Sequence, residues 1–326
     1  MCSLKMLAWG KTMSDTKPNL LVLVGPTASG KTATAIHLAK QLSAEIISAD
    51  SRYFFRDLQI GTAKPTQAEL IEAPHHLINV TSLSRPWSLG EYKVEAERLI
   101  LEINSRGKLP LLVGGSGQYI RAITENWAIP VQEPDHQLRE AIENWGKVVG
   151  FDQLHKWLSW LDAEAARVID ASNHRRTVRA LEVIFLSGRR FSELRLTTES
   201  KFRQLIIGLN WPRKSLYERV DQRINQMLAN GLVAEVEQVI TAGMGEALRK
   251  VGIIGYAEVL DYLEGKTTLS EAVMLIKRNT RRFIRHQANW FKPEDAKIHW
   301  FNAQDPAMID NMLGLVRDYF DLRITV

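Results

Sequence analysis

Residues 19–50 read NLLVLVGPTASGKTATAIHLAKQLSAEIISAD, and this stretch decides the fold. The apolar run Leu20–Val24 predicts a buried strand. The residues that follow, GPTASGKT at positions 25–32, match the phosphate-loop pattern G-x-x-x-x-G-K-[ST]. Apolar residues from Ala33 to Leu42 then recur at helical spacing, which gives the motif the strand, turn and helix that it requires. Such a match arises by chance in a chain of this length with a probability of roughly one in a hundred.

The residue types in this loop suit a bound pyrophosphate. Glycines allow backbone N–H groups to face a ligand, and the start of the helix adds the positive end of its dipole. Lys31 brings a positive charge to the terminal phosphate, and Thr32 offers a hydroxyl to Mg²⁺. A helix start with glycines for packing would not explain a Lys-Thr pair at these two positions. We therefore interpret residues 25–32 as a pyrophosphate-binding loop.

The composition is typical of a globular protein. Hydrophobic residues make up 45% of the 326 residues and charged residues 24%, and no apolar run approaches the ~20 residues of a membrane span. Residues 1–18 lack the apolar core of a signal peptide, so we expect a flexible tail. The single cysteine, Cys2, excludes an internal disulfide bond and a multi-cysteine zinc site. We expect about two domains and a cytoplasmic location.

Positive charge is concentrated in the second half of the chain. Residues 170–292 contain 21 Lys and Arg against 13 Asp and Glu, a net charge of +8. The whole chain carries +5, so the remainder carries −3. This asymmetry indicates that the second half contacts a polyanion.

Two further segments are expected to reach the same edge of a parallel sheet as the phosphate loop. Residues 45–50 (EIISAD) predict a strand with Asp50 just past its end, where the carboxylate would face the loop. A helix-capping role for Asp50 explains the sequence equally well. Residues 110–113 predict another strand, which runs into the glycine turn Gly114-Gly-Ser116-Gly117. We interpret this turn as a second wall of the same pocket.

The remaining pattern is mostly helical. Residues 126–200 lose the strand signals and predict a helical insert in a core made of residues 19–125 and 201–326. A helix is expected to begin near Ser215, with Arg219 and Arg223 on one face.

Two basic runs stand out, and a solvated charged surface is the default interpretation of each. The insert contains NHRRTVRALE at positions 173–182. Residues 271–292 place Arg278, Arg281, Arg282 and Arg285 on one helix face, and Trp290-Phe291 follow them. A basic stripe that ends in aromatic residues, within the basic half of the chain, favours a nucleic acid.

Several motifs follow one another along the chain: GPTASGKT, DSRYFFRDLQIGTAKP, HHLIN, LVGGSGQYI, NHRRTVRALEV, IIGY and TRRFIRHQANWFK. In this order, over about residues 19–301, they resemble the bacterial tRNA dimethylallyltransferases. The resemblance implies an α/β fold with a P-loop NTPase-like parallel sheet flanked by helices, and an all-helical insert that contacts tRNA. It implies transfer of a dimethylallyl group from dimethylallyl diphosphate to N6 of adenosine 37, in the anticodon stem–loop of tRNAs that read codons beginning with U. It further implies Mg²⁺ as the cofactor and a monomer.

The resemblance also assigns roles to individual residues. Asp50 resembles the general base that takes a proton from the adenine amine, Lys31 and Ser116 complete the catalytic set, and Thr32 contacts the metal. The diphosphate-binding residues are Gly25, Pro26, Thr27, Ala28, Ser29, Gly30, Lys31, Thr32 and Arg223. The tRNA-binding residues are Asp50, Ser51, Arg52, Tyr53, Arg175, Arg176, Thr177, Val178, Arg179, Arg281, Arg282 and Arg285, with further contacts expected in segments 251–256 and 285–292.

The chain departs from the family pattern at several positions. Tyr53 replaces a glutamine, Asn79 and Asn210 replace aspartates, Asn289 and Ser116 replace threonines, and His286 replaces an arginine. A tyrosine offers one hydroxyl and a broad aromatic face in place of an amide. We therefore predict that Tyr53 stacks on the extruded adenosine or on its loop neighbours.

Three other functions share parts of this pattern. A small-molecule or nucleotide kinase would use ATP, with Asp50 activating a hydroxyl, but it has no need of the basic second half. A prenyltransferase that acts on free adenine nucleotides has a similar core, whereas the insert and the arginine stripe favour a polynucleotide acceptor. An NTP-driven nucleic-acid binder would leave Asp50 without a role.

Overall fold

A six-stranded sheet forms the centre of the protein. The computed structural model describes residues 17–129, 135–195 and 199–322. Its strands are β1 (Asn19–Val24), β2 (Ala44–Ser48), β3 (His75–His76), β4 (Leu109–Gly114), β5 (Arg203–Asn210) and β6 (Ile298–Asn302). Neighbouring strands run parallel in the order β3-β2-β4-β1-β5-β6. The prediction of an α/β fold with a parallel sheet is confirmed.

Helices pack on this sheet and extend beyond it. The first group is α1 (Lys31–Leu42), α2 (Gln67–Glu72), α3 (Leu89–Ser105) and α4 (Gly117–Thr124). The second is α5 (His136–Val149), α6 (Phe151–Leu161), α7 (Ala163–Val168) and α8 (His174–Ser187). The third is α9 (Arg213–Ala229), α10 (Leu232–Thr241), α11 (Gly245–Val251), α12 (Tyr256–Leu263), α13 (Leu269–Ala288) and α14 (Met308–Phe320). Short 3₁₀ helices cover Ser51–Phe54 and Ser192–Arg195.

Both faces of β1 are buried, which explains its continuous apolar sequence. Because side chains alternate along a strand, Leu21 and Leu23 pack with α1 and α14 on one face of the sheet. Leu20 and Val22 pack with α3 and α4 on the other face. The sheet is therefore the middle layer of a three-layer core.

The order of the strands places the end of β1 at a switch point. From β1 the chain runs to β2, β3 and β4 on one side of the sheet, and later to β5 and β6 on the other side. Crevices beyond the carboxyl ends of parallel strands at such a point are where ligands bind in open α/β sheets. The phosphate loop follows β1 at this position.

Two helical groups build their own hydrophobic cores. Helices α5, α6, α7 and α8 pack around Leu154, Leu158 and Leu181, within the predicted insert. Helices α9 to α13 pack around Val220, Val236 and other residues in the part of the chain assigned to the catalytic core. The domain boundaries themselves stay a prediction.

The structure corrects the predicted start of one helix. Helix α9 begins at Arg213 after Pro212 and not near Ser215, because proline suits a helix start, where its missing N–H would have no intrahelical acceptor. Helix α13 ends at Ala288, so Trp290 and Phe291 lie beyond it. The predicted N-terminal tail lies largely outside the described residues. No helix within those residues is long and apolar enough to span a membrane.

Candidate active site

The phosphate loop adopts a strained turn between β1 and α1. Ala28 and Gly30 both have left-handed backbone conformations, with φ of 65° and 92°. Glycine adopts this conformation freely, whereas it costs a residue such as alanine about 1–2 kcal/mol. Turns of this kind direct backbone N–H groups to one side and form anion sites. Contacts from outside the loop must therefore stabilise the left-handed conformation of Ala28.

Two side chains from the β5–α9 region provide that support. Arg219 Nε donates a hydrogen bond to the Ala28 carbonyl at 2.9 Å, and Trp211 Nε1 donates to the Ser29 carbonyl at 2.8 Å. The Arg219 guanidinium also lies over the Trp211 ring, 4.4 Å from its centroid. These contacts hold the turn without help from a ligand.

A cavity of about 600 Å³ opens over the loop, and we call it the loop cavity. Its wall includes residues 27–33, together with Asp50, Arg52, Tyr53, Thr62 and Arg223. This volume suits a small phosphorylated molecule. Gly25 and Pro26 line a separate cavity of about 220 Å³, and their contact with diphosphate stays a prediction.

Lys31 lies at the base of the loop cavity. Its Nζ donates hydrogen bonds to the carbonyls of Gly25 at 3.0 Å and Pro26 at 2.7 Å. Burial lowers the pKa of Lys31 to about 8; Asp50 acts in the opposite direction, while Arg223 lowers the pKa further. A bound anion would therefore favour the charged form of this side chain.

Arg223 adds a second cation with unused hydrogen-bonding capacity. Its Nη2 donates a long bond of 3.4 Å to the Thr62 carbonyl. Its Nε is buried, and it has no hydrogen-bond partner within the described part of the chain. A buried guanidinium N–H without an acceptor is costly, and an anion in the loop cavity would satisfy it.

Tyr53 also lines the loop cavity, and its stacking on a base stays a prediction. Its hydroxyl donates to the Ala63 carbonyl at 2.9 Å, and its side chain lines the cavity together with Lys31 and Thr32. Burial, reinforced by the Asp50 charge, raises the pKa of Tyr53, so the hydroxyl stays protonated. The substitution at this position therefore acts beside the predicted diphosphate.

Asp50 combines the two roles that the sequence left open. It follows β2, and its Oδ1 accepts a hydrogen bond from the Arg52 N–H at 3.1 Å, which caps the 3₁₀ helix Ser51–Phe54. The same residue lines the loop cavity. A carboxylate has two oxygens and about four acceptor sites, so the cap leaves capacity for a second task.

The second glycine turn is closely packed, and its role as a second wall of the pocket stays a prediction. A Cβ on Gly114 would lie 2.5 Å from the Ala49 carbonyl oxygen, one on Gly115 2.4 Å from Gln287 Nε2, and one on Gly117 2.1 Å from Trp290 Cγ. The turn therefore admits no side chains at these positions. Ser116 follows β4, between the strands that lead to the phosphate loop and to Asp50. It does not line the loop cavity.

A larger cavity of about 1270 Å³ lies beside the loop cavity, and we call it the aromatic cleft. Its lining includes Phe54, Trp87 and Tyr119, whose rings contact one another: the centroid of Phe54 is 5.6 Å from that of Tyr119 and 5.8 Å from that of Trp87. Arg52 lines both cavities, and its guanidinium lies 4.4 Å from the centroid of Phe283. The two cavities therefore meet at Arg52.

Residues from three parts of the fold surround this cleft. Arg139 and Lys147 come from α5 of the insert, Lys250 comes from α11, and Arg52 comes from the core. Acidic residues, including Glu140 and Glu143, lie among them. The lining of the cleft thus combines flat aromatic surfaces with charged groups of both signs.

The predicted nucleic-acid surface is only partly exposed. The side chains of Thr177 and Val178 are buried in the insert, which corrects their assignment as contact residues. Arg179 pairs with the buried Glu182 at 2.9 Å, and Arg281 pairs with Asp221 at 2.6 Å. The exposed arginines of the two runs are Arg175, Arg278, Arg282 and Arg285, and Arg176 is half-buried.

Sequence patterns missed three groups around the site. Trp211 reaches the loop from 182 residues away and Gln287 from 260 residues away. The aromatic cleft is also not visible in the sequence, because Trp87 precedes α3 whereas Tyr119 belongs to α4. The motif TRRFIRHQANWFK includes Gln287, but its inward contacts are not visible in the sequence.

The sheet, the loop at its switch point and the adjoining helical groups define the class: a P-loop α/β protein with a binding cavity at the end of β1. The model of the IPP transferase family matches residues 53–294. The chain belongs to this family.

Relatives with curated names and with solved structures agree with this assignment. The chain is 39% identical over 300 residues to a tRNA dimethylallyltransferase of Thermomicrobium roseum, covering 92% of this chain and 91% of the relative. A full-length tRNA isopentenylpyrophosphate transferase structure from Bacillus halodurans has 37% identity and a TM-score of 0.70, over 94% of this chain and 97% of the other. A eukaryotic dimethylallyltransferase acting on tRNA has a TM-score of 0.79 at 24% identity, covering 94% of this chain and 80% of the other, and it supports the fold alone.

Proposed function

We propose that this protein transfers a dimethylallyl group from dimethylallyl diphosphate to N6 of adenosine 37 in tRNAs that read codons beginning with U. The observation that carries the proposal is the junction of the two cavities at Arg52, close to Asp50 in the loop cavity. The loop cavity has cations and a phosphate loop, as a diphosphate requires. The aromatic cleft offers flat surfaces to an unstacked base. Relatives named tRNA dimethylallyltransferase support the same reaction.

The reaction is a direct displacement. The N6 amine attacks C1 of the allyl group, the bond from C1 to the diphosphate oxygen breaks, and its electrons leave with diphosphate. Asp50 removes the amine proton as the new C–N bond forms, a contribution of typically ~10²–10⁴-fold. Lys31, Arg223 and the loop N–H groups stabilise the negative charge that develops on the leaving diphosphate.

Mg²⁺ fits this site as a companion of the diphosphate. The described residues contain no group of three or more His, Cys, Asp or Glu side chains that could hold a metal ion. Mg²⁺ commonly keeps several waters and is bound through substrate phosphates with few protein ligands. The Thr32 hydroxyl lines the loop cavity and would hold the ion together with phosphate oxygens. The ion would supply charge neutralisation for the leaving group.

The anticodon stem–loop would lie across the aromatic cleft. Arg175 on the insert and Arg282 and Arg285 on α13 are exposed and can contact its phosphates. The working unit that we propose is a monomer. We propose a cytoplasmic location, which a tRNA substrate supports.

A label-transfer experiment tests the proposal. Dimethylallyl diphosphate labelled in the allyl group is incubated with an anticodon stem–loop, and we expect label on the RNA. The matched control is the same stem–loop with inosine at position 37, which has a carbonyl in place of the amine and should accept nothing. Equal transfer to AMP would support the free-nucleotide enzyme instead. Phosphorylation of an acceptor by ATP, without allyl transfer, would support the kinase.

A further inference from the structure

One buried side chain near the end of α13 connects both glycine turns. Gln287 is 5% exposed. Its Oε1 accepts a hydrogen bond from the Thr27 N–H of the phosphate loop at 2.9 Å, and its Nε2 donates to the Gly115 carbonyl of the second turn at 3.0 Å. The Thr27 N–H is therefore used within the protein, although a phosphate loop was expected to offer it to the ligand.

The end of α13 fits closely against the second turn. A side chain at Gly115 would collide with Gln287 Nε2 at 2.4 Å, and one at Gly117 would collide with Trp290 at 2.1 Å. Arg121 of α4 donates a hydrogen bond to the Trp290 carbonyl at 2.7 Å. The position of this end of the helix is therefore fixed by several contacts at once, and small displacements would break them.

The opposite face of α13 carries the exposed residues Arg282 and Arg285. Helix α13 thus extends from the surface predicted to meet tRNA to the loop predicted to hold diphosphate. A helix moves as a unit. A change in the position of α13 on RNA binding would therefore alter the geometry of both hydrogen bonds of Gln287.

We propose that Gln287 is a positioning residue that couples the two substrates: a stem–loop bound against α13 favours the position of Gln287 that holds the phosphate loop ready for diphosphate. The inference rests on the proposed function. Coupling of this kind is reciprocal and typically amounts to about 5–150-fold in affinity. It requires that the two ligands favour the same position of α13.

The test measures the affinity of magnesium pyrophosphate with and without saturating stem–loop, by isothermal titration calorimetry. In the wild type the stem–loop should raise the affinity at least about fivefold. Gln287→Leu removes both hydrogen bonds and should reduce the ratio to less than about twofold. Gln287→Glu keeps an acceptor for the Thr27 N–H but loses the donor to Gly115, so the ratio should fall between these values.

Two further variants separate positioning from general destabilisation. Val316→Ala truncates a fully buried residue in the core around α14 and should leave the ratio at the wild-type value. Gly115→Ala displaces Gln287 from the other side, so it provides the same test if Gln287→Leu does not fold.

Wild-type coupling in Gln287→Leu or Gly115→Ala would overturn the inference. Independent binding of the two ligands by the wild type would also overturn the inference. A wild type that bound neither ligand would overturn the proposed function as well.

Discussion

The pKa of Lys31 leads to a pH dependence that can be measured directly. Burial lowers this pKa from 10.5 to about 8 in the free protein, and only the charged form attracts diphosphate. Pyrophosphate should bind most tightly at pH values below 8, where Lys31 is charged. Above pH 8 the affinity should fall, because Lys31 is then neutral in the free protein. A bound anion raises the pKa of Lys31, so the side chain must take up a proton when the complex forms. Each pH unit above 8 should lower the affinity by up to about tenfold, or about 1.4 kcal/mol, until the pKa of the complex is reached.

The assay is calorimetric titration with pyrophosphate from pH 6 to pH 10, on the wild type and on Lys31→Met. Pyrophosphate itself titrates in this range, so the quantity to compare is the ratio of the two affinities, in which the ionisation of the ligand cancels. The ratio should be constant below about pH 7.5 and then fall. A ratio that stayed constant to pH 10 would refute the lowered pKa, and equal affinities at pH 7 would remove Lys31 from the site.

The same variant also tests the energetics of the free protein. The shift from 10.5 to about 8 corresponds to about 3 kcal/mol of disfavoured charge at pH 7. Lys31 is charged at pH 7, so its two hydrogen bonds offset this by about 1.5–3 kcal/mol each. Lys31→Met should therefore unfold at a similar or lower denaturant concentration at pH 7. Because the unfolded chain binds the proton more tightly, the wild type should gain stability relative to the variant between pH 8 and pH 10.5.

Three other changes test the remaining parts of the site. Asp50→Asn keeps an oxygen for the Arg52 N–H cap but cannot accept the amine proton. Single-turnover transfer should therefore slow about 10²-fold or more, while pyrophosphate affinity changes little. Near-normal transfer would exclude Asp50 as the base. Tyr53→Phe loses the bond to the Ala63 carbonyl at the loop cavity, so we expect weaker binding of dimethylallyl diphosphate and unchanged stem–loop affinity. A stem–loop affinity that fell in Tyr53→Ala but not in Tyr53→Phe would support the stacking interpretation instead. Arg282→Gln should reduce the slope of log affinity against log salt concentration for stem–loop binding by about 1. Arg281→Gln should reduce this slope less, because Asp221 already pairs with Arg281. Equal effects of the two variants would show that this ion pair opens on binding.

Local sequence was sufficient for the elements that depend on local physics. The apolar run of β1, the glycines of the phosphate loop and the 3.6-residue period of α1 each express preferences of neighbouring residues, and the structure has all three elements. Asp50 could be placed because a residue that follows a parallel strand lies at the carboxyl edge of the sheet. The motifs that follow one another along the chain predicted the family, and the match over residues 53–294 confirms it.

Tertiary structure alone decided which distant side chains meet. Arg219 and Gln287 support the phosphate loop from 191 and 260 residues away, and no local period encodes such contacts. Gly115 and Gly117 looked like a phosphate-binding turn, yet they are small because Gln287 and Trp290 occupy the space that their side chains would fill. Glycine is suited both to a left-handed turn and to a close approach of another segment. A glycine in the sequence therefore does not tell which of the two is required, and only the packing of distant segments decides it.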